Sequence, residues 1–122
     1  SPGATTTGTA WGLAEGAVDT SRNLETYLLV ANTSASPADV RVRLFFEDGG
    51  TAEDTYENIP ANSRFNVPVG VFFPQADGRR FASIVESLGT EPAQIVVERA
   101  VYWNAAGQQW AAGTNALGTK LR

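Results

Sequence analysis

Apolar and polar residues alternate with period two along most of the chain, and turn residues cut the alternation about every 8 to 14 positions, the rhythm of an all-β sandwich or barrel. The clearest run is 39–47, where Val40, Val42, Leu44 and Phe46 face one way and Arg41, Arg43, Phe45 and Glu47 the other. Asp48-Gly49-Gly50 follows and predicts a two-residue hairpin turn, because both central residues tolerate positive φ. Residues 51–59 then return as a mostly polar strand near an edge. The run 24–32 (LETYLLVAN) is apolar on both faces from Tyr27 to Ala31, which predicts a central strand. Residues 93–103 (AQIVVERAVYW) form the strongest strand pattern, and 5–14, 63–69, 79–88 and 108–117 complete about eight. Pro68 cannot donate to a ladder and belongs at an edge or a strand end. Residues 15–23 are expected to be a polar loop. Residues 70–78 are expected to be a loop whose Val71, Phe72 and Phe73 tuck under the sandwich as a plug. No stretch keeps a helical apolar stripe free of Gly, Pro or β-branched interruptions. The expected fold is an antiparallel β-sandwich, immunoglobulin-like in general architecture, with residues 1–10 as a leader and 11–122 as the sandwich domain.

Length and composition sharpen this. A chain of 122 residues is one domain with one core. It has no histidine, cysteine or methionine, so a Ser-His-Asp triad, a Cys-His pair, a His- or thiolate-ligated zinc and a disulfide are all excluded. The net charge of -4, with cations scattered rather than striped, argues against nucleic acid as a partner. No apolar run approaches the roughly 20 residues needed to cross a bilayer. Lysine is nearly replaced by arginine, and Ala and Thr are frequent, a composition that leans toward an exported protein. The opening Ser1-Pro2-Gly3 carries no initiator Met, as expected of a mature chain after leader removal or of a piece of something longer.

The charged residues set inside apolar runs are the candidates for chemistry. Glu86 within SIVESL and Glu98 within IVVERAVYW would be a carboxylate pair for glycoside hydrolysis if they met. The preferred reading makes Glu15, Arg64, Glu86, Glu98 and Arg99 structural ion-pair residues, with Glu86 or Glu98 matched by Arg64 or Arg99 across strands. Alternation keeps Glu98 and Arg99 on opposite faces, so they do not pair with each other. The acidic residues Glu47, Asp48, Glu53, Asp54 and Glu57 around Gly49-Gly50 could hold calcium only with a spacing they lack, and they read as a solvated hairpin. Trp11 and Trp103 are expected in the packing, whereas Trp110, among Ala and Gly on the weak last strand, is the candidate for stacking on a sugar. Asn32-Thr33-Ser34 matches a glycosylation acceptor but is expected to be only a strand-ending turn. Thr5, Thr6, Thr7 and Thr9 form a small, β-tolerant segment that could add as a strand to the edge of a neighbouring copy. Repeated head to tail, that contact builds a filament.

The ordered set Leu13-Ala14-Glu15-Gly16, Thr26-Tyr27-Leu28-Leu29-Val30-Ala31-Asn32, Asp48-Gly49, Ile59-Pro60-Ala61-Asn62-Ser63-Arg64, Val85-Glu86-Ser87 and Ile95-Val96-Val97-Glu98-Arg99 with Tyr102-Trp103 resembles a β-sandwich module of large secreted or cell-surface bacterial proteins. The resemblance runs from about Trp11 to Leu117 and implies an extracellular accessory or structural module with no catalytic residues to carry over. The expected function is therefore non-catalytic and structural, without cofactor or metal. Its partner is the chain itself, as a homo-oligomer or filament, or other domains of a larger surface protein. Carbohydrate binding through exposed aromatics is the alternative.

Overall fold

The computed structural model describes residues 6–105 and 108–122, with side chains at 104–114 left out of the description. Its strands are β1 (Ala10–Val18), β2 (Leu24–Asn32), β3 (Ala38–Phe46), β4 (Thr51–Ile59), β5 (Ser63–Pro68), β6 (Arg79–Ser87), β7 (Ile95–Ala105), β8 (Gln108–Leu117) and the two-residue β9 (Thr119–Lys120). They form a five-stranded sheet, β4-β3-β6-β1-β9, packed on a four-stranded sheet, β5-β2-β7-β8. Every pairing between these strands is antiparallel. The expected sandwich is therefore present. The immunoglobulin likeness is one of layers and not of strand order, since β1 and β2 lie in opposite sheets.

Period-two alternation builds the interior. Val40, Val42, Leu44 and Phe46 of β3 meet Leu28, Val30, Ile95 and Val97 of the other sheet, with Trp11 and Phe81 the largest buried rings. Trp11 also donates its indole N–H to the Ile95 carbonyl at 3.0 Å, tying the two sheets together. Gly16 is required by packing: a Cβ there would overlap the Phe81 ring.

Three local expectations are corrected. The polar loop at 15–23 is strand as far as Val18, because β1 absorbs Ala14 and Glu15 in a bulge opposite β6, with Glu15 at φ 64. The hairpin after β3 is a four-residue turn, Glu47 to Gly50, closed by the Gly49 amide donating to the Phe46 carbonyl and the Phe46 amide to the Gly50 carbonyl, each at 3.0 Å. The plug divides: Phe73 is in the core, Phe72 packs on Tyr56 and Phe65 at the sandwich edge, and Val71 is exposed on the short helix α1 (Val69–Phe72). Among the described residues no helix is long and apolar enough to cross a membrane.

Residues 7–9 of the expected leader are bonded to the sandwich. Gly8 exchanges two backbone hydrogen bonds with Ile95, the Thr9 amide donates to the Arg122 carbonyl, and the Thr9 carbonyl accepts from the Ser87 amide. Thr7 donates its hydroxyl to Gln94 at 2.8 Å. Thr5 lies outside the described residues.

Candidate functional site

The outer face of the five-stranded sheet is organised around one carboxylate. The β3–β6 register sets Arg41 opposite Glu86. Glu86 Oε1 accepts from Arg41 at 2.9 Å and Arg43 at 3.0 Å, and Oε2 accepts from Arg122 at 2.9 Å. Burial pulls the Glu86 pKa upward, but the hydrogen bonds from Arg41 and Arg122 and the charges of Arg43 and Arg41 outweigh it and hold the group below its ordinary value. The partners expected for Glu86, Arg64 and Arg99, are thus replaced by Arg41, Arg43 and Arg122. Alternation already placed Arg41 and Arg43 on this outer face. What the sequence alone could not supply was the register that brings them to Glu86.

Arg99 turns the other way. Its guanidinium lies between the sheets, donating to the Ala14 carbonyl and standing 4.0 Å from the exposed Glu15 carboxylate at the bulge. Among the five expected ion-pair residues only Arg99 and Glu15 come within ion-pair distance of each other, although the expected partner of Arg99 is Glu86 or Glu98. Glu86 and Glu98 face outward from different sheets, on opposite sides of the sandwich, so the geometry makes no carboxylate pair of them.

Other polar candidates are consumed by structure. Asp48, in the acidic turn, is gripped by Arg79, whose guanidinium also lies 3.7 Å from the Phe46 ring centre. Asn32, in the glycosylation pattern, is 1% exposed, and its amide nitrogen donates to the carbonyls of Ser36, Ile59 and Pro60. It is a turn-fixing residue whose amide is out of reach. Glu25, which sequence reasoning passed over, accepts from the Gly70 and Thr26 amides and ties β2 to α1. Burial raises its pKa, partly offset by those two amides.

The four-stranded sheet has a different outer face. By register Leu29, Ala31 and Val96 lie on the outer side of the sheet, yet they are apolar; Leu29 and Ala31 are half-buried and Val96 is buried, and beside them Leu117 is 54% exposed. Together with Arg64 of β5 and Glu98 of β7 they line a half-open groove of about 410 Å³. Ala31 and Val96 form its floor, because they are short, and the longer Leu29, Leu117, Arg64 and Glu98 stand around them. Among the described residues neither Arg64 nor Glu98 makes an ion pair. The expected roles of these two residues as strand ties are therefore not realised within the chain. Further along the same sheet Trp103, expected in the packing, is 45% exposed. In the β7–β8 register Trp103 is opposite Trp110, whose side chain lies outside the described residues.

No family model matches the chain, and no curated protein does. Solved structures share its fold, two of them as follows. The Thermotoga maritima 1070 crystal structure superposes with a TM-score of 0.76 at 14% identity, over 95% of this chain and 97% of that one. The Anabaena sensory rhodopsin transducer does so with a TM-score of 0.59 at 22% identity, over 78% of this chain and 97% of that one. At these identities the likeness is one of fold: the chain is an all-β sandwich similar to both.

Proposed function

We propose that the chain is a non-catalytic structural and interaction module of a secreted or cell-surface assembly, and that it works through the outer face of its four-stranded sheet. The observation that carries this reading is the groove itself. An antiparallel sandwich is expected to turn polar residues to solvent, and here the partly exposed Leu29 and Ala31 and the exposed Leu117 occupy such positions over a buried Val96, beside two charges without partners in the described chain. Glu86, Asp48 and Glu25, by contrast, are engaged in fixing the fold. Assembly by strand addition through Thr5, Thr6, Thr7 and Thr9 would first have to release the bonds that hold Gly8 and Thr9 to Ile95, Arg122 and Ser87. Contact through the sheet face requires no such release, and is the preferred route.

Two measurements test the reading. Cells that make the protein should hold it in the surface or medium fraction, within a high-mass assembly; recovery as a cytoplasmic monomer overturns the proposal. Purified protein should release no product from polysaccharide, ester and peptide panels, and turnover proportional to protein overturns it equally. The exposure of Trp103 favours a second reading, glycan stacking. A saturable shift of tryptophan fluorescence with a polysaccharide, lost in Trp103→Ala, would sustain that alternative, and a flat response across a glycan panel would end it.

A further inference from the structure

We infer that the occupant of the groove is a second copy of this chain, docked face to face about a two-fold axis that runs along β2. This rests on the interaction-module reading and names its partner. Strands β5 and β7 flank β2 on either side, each at about 4.8 Å. A two-fold along β2, in the plane between two copies, therefore lays β5 of each copy over β7 of the other. Arg64 is in register with Ala31, and Glu98 with Leu29. The two charges differ by two residues along the strand direction, about 6.6 Å, a distance an arginine side chain spans. Each copy then supplies the cation for its partner's anion, twice over, while Leu29 and Ala31 lie on the axis and meet their own copies. A self-complementary patch of this kind is what a two-fold interface requires. On the other outer face Arg41, Arg43 and Arg122 already converge on Glu86, so that cluster is matched within one copy. Across that axis only β5, β2 and β7 overlap their counterparts, a contact on the order of 400 Å², below the roughly 800 Å² per partner of a standard interface, which predicts a concentration-dependent pair rather than an obligate dimer.

Sedimentation equilibrium of the purified chain tests this. The wild type should shift from monomer toward dimer as concentration rises into the upper micromolar range. Arg64→Glu or Glu98→Arg alone gives each copy two like charges on the groove, and each should weaken association at least about tenfold. An equimolar mixture of the two variants should recover it as a heterodimer, because every contact is then again between opposite charges. Recovery on mixing also shows that neither variant failed to fold. A wild type that stays monomeric up to about 1 mM overturns the pairing, and leaves the interaction-module reading to its own location and turnover assays. A wild-type dimer indifferent to both variants overturns this face as its interface.

Discussion

The outer faces of the two sheets solve the same solvent-exposure problem in opposite ways. On the five-stranded sheet the outward positions of β3 and β6 carry Arg41, Arg43 and Glu86, and Arg122 closes over the same carboxylate. These four groups are spent on each other. On the four-stranded sheet the outward positions of β2 and β7 carry Leu29, Ala31 and Val96, with Arg64 and Glu98 at the margins and unmatched within the described chain. A charge cluster that closes on itself needs nothing from outside. A face with apolar floor and open charges is incomplete until something covers it. Two glutamates of one chain, Glu86 and Glu98, thus differ not in chemistry but in whether the described chain supplies their cations.

Removing those two carboxylates should break the comparison most sharply. Glu86→Gln leaves three arginines converging on a neutral amide. Loss of one partner of a buried pair costs several kcal/mol, and because these arginines reach solvent the expected loss is about 2 kcal/mol. Glu98→Gln removes a charge without a partner in the described chain and should change monomer stability by less than about 0.5 kcal/mol. Urea unfolding at neutral pH, below the concentration at which copies associate, reads both. Equal losses would mean that the two faces are not different in kind.

How much of this was legible beforehand follows from which property each feature depends on. The inward set on β3 is a local matter of period two, and residues 39–47 declare it without knowledge of any neighbour. The role of Glu86 depends on register, which brings Arg41 to it from 45 residues away, and register between distant strands leaves no mark in one sequence. The bulge at Glu15 was hidden for a related reason: a polar residue at positive φ reads as a loop until β6 is seen to continue past it. The groove was half visible. The run Tyr27 to Ala31 showed apolar residues on both faces, which were read as centrality within the sheet. Centrality is correct, since β2 lies between β5 and β7, but it does not explain why the solvent side of the strand is apolar.

Acid should separate the faces next. The Glu86 pKa lies below its ordinary value of 4.5 in the folded chain, so between the two values the unfolded chain binds more protons. The stabilisation is complete above about 4.5 and is lost as pH falls through that value toward the folded one. Glu25 has the opposite sign: its raised pKa means that stability declines as pH rises from the ordinary carboxylate value through the folded one. Glu86→Gln should therefore flatten the acid side of the stability–pH curve, leaving the acid dependence of Asp48 and Asp77, which are also held below their ordinary values by Arg79 and by the Thr20 amide and hydroxyl. A Glu86→Gln curve parallel to wild type down to pH 3 would mean that the three-arginine cluster does not hold the carboxylate in solution.

The smallest effect concerns the bare apolar surface. Leu29 and Phe45 are both partly exposed apolar residues, one on each outer face. Phe45 has a polar setting, with the Arg43 guanidinium 5.8 Å from its ring centre, whereas Leu29 belongs to a continuous apolar groove. An environment-sensitive apolar dye should bind the monomer at the groove. Its fluorescence should fall severalfold in Leu29→Glu and change little in Phe45→Glu, because the dye recognises a contiguous apolar patch rather than a single exposed ring. Each substitution replaces a half-exposed side chain, so the stability cost of both is about 1 kcal/mol or less and does not obscure the readout. If Phe45→Glu removes as much dye signal as Leu29→Glu, the apolar character is shared between the faces, and the groove loses its claim to be the surface through which the module makes contact.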